Sequence, residues 1–251
     1  MEKLIELKNV TAAYDNKVVL QDVSLTIYEK DFLGIIGPNG GGKTTLVKTI
    51  LGLLPPSKGE ILFYKNGQEI PPFKIGYMPQ VNNIDRKFPI SVKEVVASGL
   101  LSEKPRFKPF SKAQLDRIDE VIAQMGLAEM KNRPIGELSG GQIQRVLLSR
   151  SVVSQPRLLI LDEPNSYVDK RFESVFYKLL EEINKERAII LVSHDIGTVL
   201  SMVKNIVCVN ETLHYHPGTD VSAEWMKDKY DCPIEMLGHG EFPHRILKCH
   251  H

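Results

Sequence analysis

Gly37-Pro38-Asn39-Gly40-Gly41-Gly42-Lys43-Thr44 reads G-x-x-x-x-G-K-T, with an apolar run at residues 32–36 before it and a helix-like stretch at residues 44–54 after it. A strand, a glycine loop and a helix in that order form a phosphate cradle. Glycines let backbone N–H groups turn inward around phosphate oxygens. The helix that follows aims its positive end at the same anion. Lys43 is placed to reach the β- and γ-phosphates of a nucleoside triphosphate, and Thr44 to offer its hydroxyl to Mg²⁺, with Thr45 on the same first turn. The plain alternative is a flexible glycine turn before a helix; the match at every fixed position, with both flanks in place, sets it aside.

The composition fits a globular protein. The chain has 251 residues, 42% of them hydrophobic and 25% charged, enough for one large domain or a domain with an insertion. A formal net charge of +1 gives no global field that would draw nucleic acid, and none is expected as a partner. No apolar run approaches the ~18 residues that a membrane helix needs. Residues 1–6 alternate charged and apolar side chains and do not read as a signal peptide. Cys208, Cys232 and Cys249 are too few and too scattered for a disulfide framework, so a reducing cytoplasm is expected.

Periodicity predicts strands at residues 4–10, 18–23, 25–27, 32–36, 60–64 and 74–78. The region that follows is helical. Ser91-Val92-Lys93-Glu94, Ser111-Lys112-Ala113-Gln114 and Ser139-Gly140-Gly141-Gln142 each have the S-x-x-E/Q form of a capping box. They predict helices running to about residue 101, to near Gly126 and to about residue 154. After Pro156 a β/α rhythm returns, with strands at 158–161, 188–192 and 206–209 and helices at 169–185 and 196–203. An α/β nucleotide core is therefore expected, interrupted by a helical insertion at residues 89–155. A further helix is expected at 221–229; the chain beyond Asp231 takes no assignment.

Two more stretches carry chemistry. Leu158-Leu159-Ile160-Leu161-Asp162-Glu163 is an apolar strand ending in two acids, at the end of the sheet where ligands bind in open α/β folds. Asp162 is expected to hold Mg²⁺, directly or through water, and Glu163 to orient and polarise the attacking water. On its own the pattern also describes a strand that ends in a solvated acidic turn. Leu138-Ser139-Gly140-Gly141-Gln142 presents a helix start and a hydroxyl to an anion; taken alone, it is equally a well-capped helix.

The Ser139–Gln142 match resembles the signature sequence of ATP-binding cassette (ABC) proteins, and the other stations of that family follow in order. Tyr14 matches the aromatic that stacks on adenine, although by itself it reads equally well as a packing residue. Gln80, in Tyr77-Met78-Pro79-Gln80, matches the glutamine that senses Mg²⁺ and the γ-phosphate. Asp169, in Asn165-Ser166-Tyr167-Val168-Asp169, matches the loop that crosses a dimer interface; the commonest family form there is Ser-Ala-Leu-Asp. His194, in Ser193-His194-Asp195, matches the switch histidine at the γ-phosphate. With Gly37, Pro38, Asn39, Gly40, Gly41, Gly42, Lys43, Thr44, Thr45, Ser139, Gly140, Gly141, Gln142, Asp162 and Glu163, these form the expected site. Lys43, Glu163 and His194 are its catalytic members, and Thr44, Gln80 and Asp162 are its Mg²⁺ side.

The resemblance implies an α/β fold: a P-loop, RecA-like core (residues 4–88 and 156–216) with an antiparallel β subdomain and the α-helical insertion, the cassette as a whole covering 4–231. It implies ATP as the nucleotide and a second copy as partner. The Lys43 loop of one copy and the Ser139 segment of the other would close head-to-tail on a shared ATP. It implies a separate transmembrane permease, with the chain peripheral on the cytoplasmic face of the membrane. The segment Asn83-Ile84-Asp85-Arg86-Lys87-Phe88-Pro89-Ile90-Ser91-Val92 is similar to one found in ATPases of zinc- and manganese-type importers, which adds an extracytoplasmic metal-binding protein acting through the permease. As a bare sequence it is also a loop feeding a capped helix. Residues 232–251 form a tail. His214, His216, His239, His244, His250 and His251, with Cys232 and Cys249, are of Zn²⁺-binding types but at no finger spacing; a solvated or partner-contacting tail and a metal sensor both stay open. Another transported solute, export, and a non-transport iron–sulfur assembly ATPase also stay open.

Overall fold

The computed structural model describes residues 2–15, 17–80, 87–104, 108–164, 170–194 and 196–220, together with the backbone of strands at 234–237 and 244–247. The chain divides into two compact units, Met1–Phe73 with Ala188–His251, and Lys74–Arg187.

In the first unit, β1 (Lys3–Tyr14) and β2 (Lys17–Tyr28) form a long antiparallel pair. With β4 (Lys58–Lys65) and β5 (Gln68–Ile70) they make a four-stranded sheet of order β2-β1-β4-β5. The sequence pattern predicts two short strands where β2 runs unbroken. Its buried side chains are Leu20, Val23, Leu25 and Ile27, a series that slips phase once. The slip falls at Asp22, whose φ is +51° and whose carboxylate accepts a hydrogen bond from Asn9 Nδ2 at 2.8 Å. A local irregularity of this kind re-aims the strand without ending it.

The same unit carries parallel strands. β3 (Phe32–Ile36) lies between β8 (Ala188–Val192) and β9 (Asn205–Asn210), parallel to both. β10 (Thr212–Pro217) is antiparallel to β9. β3 and β8 are apolar at every position or nearly so and buried throughout, as strands covered on both faces require. The loop after β3 opens α1 (Lys43–Ile50). That helix ends short of residue 54: Leu53 and Leu54 N–H groups both turn back to the Lys48 carbonyl, and Pro55-Pro56 follows. α6 (Ile196–Met202) precedes β9. Strands β11 (Ile234–Leu237) and β12 (His244–Leu247) pair antiparallel in a stretch that periodicity left unassigned. The helix expected at 221–229 lies outside the described residues, as do Cys232, His239, Cys249, His250 and His251.

The second unit holds the helical region. α2 (Val92–Ser98), α3 (Lys112–Gln124) and α4 (Gly140–Val152) each start at a serine, and all three capping boxes form with both reciprocal bonds. Each cap stabilises its helix by about 1 kcal/mol. α2 is shorter than the pattern predicts; a single 3-10 turn at Leu101–Glu103 continues beyond it. The unit also contains the parallel pair β6 (Ile75–Met78) and β7 (Leu158–Asp162) and the helix α5 (Lys170–Asn184).

Candidate functional site

The predicted residues fall into two groups, one in each unit.

In the first unit the phosphate loop is built against β9. Gly37 has φ +153°, and a Cβ there would sit 2.1 Å from the Val209 carbonyl oxygen. Only glycine lets the chain leave β3 at that angle with a backbone atom so close. The Gly41 N–H donates to the Pro38 carbonyl at 3.1 Å, and the Gly41 carbonyl accepts from Glu211 N–H at 3.0 Å. The tight turn between β9 and β10 thus holds the loop from behind. Lys43 is buried. Its ammonium donates to the Gly37 carbonyl at 2.8 Å and the Pro38 carbonyl at 2.9 Å. The Lys43 side chain therefore folds from the end of the loop back to two adjacent carbonyls at its start. Asn39, Gly40 and Thr44 are exposed, whereas Gly41, Gly42 and Thr45 are buried. An exposed hydroxyl on the first turn of α1 is an oxygen donor of the type that Mg²⁺ takes.

Two further predicted residues belong to this unit. Ser193 N–H donates to the Ile35 carbonyl at 3.2 Å, which places exposed His194 beyond the same strand ends from which the phosphate loop departs. Tyr14, 40% exposed, closes β1, and Lys48 of α1 stands 5.6 Å from its ring centroid. The tyrosine is thus no packing residue of the core, and a cation held over its face steadies the ring.

In the second unit β7 brings Asp162 to its C-terminal end, 4% exposed. Tyr77, on the adjacent strand β6, donates its hydroxyl to Asp162 Oδ2 at 3.2 Å. Burial, with the Asp162 charge, pushes the Tyr77 phenol up to about 12, so at neutral pH it keeps the proton that it donates to the carboxylate. Glu163 follows at φ +46°, a region costly for any residue bearing a side chain and concentrated at functional sites. The next carbonyl, that of Pro164, accepts from Gln144 Nε2 at 2.7 Å. Gln80 follows β6 by two residues and is half-buried.

The α4 start forms the expected cap. Ser139 Oγ accepts from Gln142 N–H at 3.3 Å, while Gln142 Oε1 accepts from Ser139 N–H at 2.8 Å. Accepting that bond leaves the serine hydroxyl its own proton to donate. Gly140 and Gly141 put no side chain in front of it. The loop at 165–169, including Asp169, and residues 83–86 lie outside the described residues. Sequence reasoning missed Tyr77 and Gln144 as site residues. Gln144 left one trace, a lone amide among the buried side chains Ile143, Val146, Leu147 and Leu148 of α4.

Against known proteins, residues 20–166 match the family model described as "ABC transporter", more than half of the chain. The chain belongs to the ABC transporter family. Among curated ABC transporter relatives, the "Probable metal transport system ATP-binding protein" of Thermotoga maritima is 39% identical over 248 residues, covering 96% of this chain and 98% of that one. The zinc uptake system ATP-binding protein ZurA of Listeria innocua is 38% identical over 236 residues, covering 91% of each. A solved ABC transporter in an inward-facing conformation aligns with a TM-score of 0.85 over 99% of this chain and 98% of that one, at 22% identity. That likeness establishes the ABC fold. ATP-binding subunits of the family hydrolyse ATP.

Proposed function

We propose that this chain is the ATP-hydrolysing subunit of an importer for a divalent metal ion such as zinc or manganese. The observation that carries the enzymatic half is the pair of carbonyl bonds that Lys43 makes within its own loop. They tie the end of the loop back to its start, and a compact glycine turn of this kind is what an anion-binding loop of backbone N–H groups is built from. Thr44 and Asp162 offer hydroxyl and carboxylate oxygens, which suit Mg²⁺; bound there, with Gln80 at its edge, Mg²⁺ would neutralise phosphate charge.

The residues then divide the work. Tyr14 stacks on the base. The loop from Gly37 to Thr45, with Lys43, holds the phosphates. Glu163 orients and polarises the water whose oxygen bonds to the γ-phosphorus as the bridging P–O bond to ADP breaks. His194 donates to the γ-phosphate. Catalysis of this type rests on positioning and charge, not on covalent intermediates. Ser139, Gly140, Gly141 and Gln142 meet the nucleotide of a second copy in a head-to-tail dimer, since one nucleotide does not call for two anion-binding helix starts from one chain.

The relatives named for metal transport and zinc uptake support the cargo and the direction. No helix among the described residues is long and apolar enough to cross a membrane, which supports a separate permease. The subunit would sit on its cytoplasmic face and act through it on an extracytoplasmic metal-binding protein. The test is ATPase activity per subunit against protein concentration, for wild type and Ser139→Ala. Activity per subunit that rises with concentration and is lost in the variant is expected; full activity in a solitary subunit indifferent to Ser139 would overturn the reading. Metal-stimulated turnover after reconstitution with the permease and its metal-binding protein tests the cargo.

A further inference from the structure

Glu163 and Pro164 form a corner that local sequence preference works against. Glu163 sits at φ +46°, and a residue preceding proline is further restricted because the proline ring crowds its backbone. Conformations of this cost persist only where surrounding structure over-determines them. Gln144 supplies such a determinant. Its side chain is 2% exposed, and its amide donates to the carbonyl of Pro164 at 2.7 Å, across 20 residues of sequence.

Gln144 also lies on α4, whose start is the Ser139 cap. The glutamine lies five positions after the serine, less than two turns of a helix with 3.6 residues per turn. Ile143, Val146, Leu147 and Leu148 are buried around it, so the helix is held along its length. A displacement at the Ser139 end is carried to the Pro164 carbonyl, because an α-helix with its hydrogen bonds intact moves as a rod.

We propose that Gln144 is a positioning residue for Glu163, linking the Ser139 end of α4 to the water-orienting carboxylate of the same chain. The proposal rests on the reading of Glu163 as the residue that orients the water. Under it, the Ser139 end of α4 and the Glu163 corner of one chain are joined by a single side chain of that helix. Gln144 itself touches neither nucleotide nor water.

The test uses the full chain and two variants. Gln144→Met keeps the volume and removes the donor; Gln144→Asn keeps an amide but ends one methylene short of the carbonyl. Binding of a fluorescent ATP analogue, KM and kcat for ATP, and the dependence of rate on ATP concentration are measured. Both variants are expected to lose about tenfold or more in kcat, with KM and analogue affinity within about twofold of wild type. A side chain that only packed the helix would lower thermal stability without this split. Wild-type kcat in Gln144→Asn overturns the proposal even if Gln144→Met does not fold, and so does a loss confined to KM. Absence of ATP hydrolysis by wild type would instead remove the reading of Glu163 on which the proposal rests.

Discussion

The Tyr77 hydroxyl donates to Asp162 Oδ2 at 3.2 Å, so the strand beside β7 orients the carboxylate at its end. Tyr77 is the protonated partner throughout the physiological range. Its phenol pKa is raised from 10.0 to about 12, which means that the folded chain favours the neutral form. The stability this contributes is complete below pH 10 and is lost as pH rises toward 12. Tyr77→Phe is expected to remove one late step from the ultraviolet titration of tyrosine, leaving Tyr64, which its bond to Glu6 pushes to about 12. The variant should also lower kcat by about tenfold, since a hydrogen bond to a charged group is lost from the Asp162 site. Unchanged kcat with an altered titration would confine Tyr77 to a structural role.

Lys43→Ala removes the cation that bridges the Gly37 and Pro38 carbonyls and the ammonium proposed for the γ-phosphate. ATP affinity is expected to fall by about a hundredfold or more, with no measurable turnover. Titration with a fluorescent ATP analogue checks the first and phosphate release the second. Near-normal turnover would unseat the assignment of the loop.

Glu163→Gln keeps the size of the side chain and removes its negative charge. The variant is expected to bind ATP at near wild-type affinity and to hydrolyse it about 100-fold more slowly or worse. It should accumulate as a dimer in the presence of ATP and Mg²⁺, read by light scattering after gel filtration. A variant that stays monomeric at high concentration would count against the shared-nucleotide dimer.

Gly37→Ala and Gly40→Ala separate steric fit from loop flexibility. A Cβ at Gly37 would meet the Val209 carbonyl oxygen at 2.1 Å, whereas one at Gly40 meets nothing within 4 Å. The first change is expected to destabilise the chain by about 3 kcal/mol or more, since backbone must move. The second, at φ +80°, should cost only about 1–2 kcal/mol. Denaturant unfolding of both variants gives the comparison; equal midpoints would contradict the close approach of β9 to the loop.

Much of the fold was legible because its signals are local. The three capping boxes join residues three apart, and each formed as its S-x-x-E/Q spacing predicts. The apolar runs of β3, β7 and β8 were found almost to the residue. Where the pattern misled, the cause was a tertiary one: β2 reads as two strands parted at Ser24 although pairing with β1 carries it through, and β10 was missed because its half-exposed residues take their place only by pairing with β9.

The sequence by itself determined the phosphate loop, the strand-end acids and the family, since a glycine turn, a helix start and a motif order are written within short spans or in linear sequence. Only the tertiary structure set Val209 behind Gly37, Tyr77 against Asp162 at a separation of 85 residues, and Gln144 beneath Pro164. Those contacts join segments whose side chains carry no local mark of one another, so they exist only once burial has brought strands and helices into register.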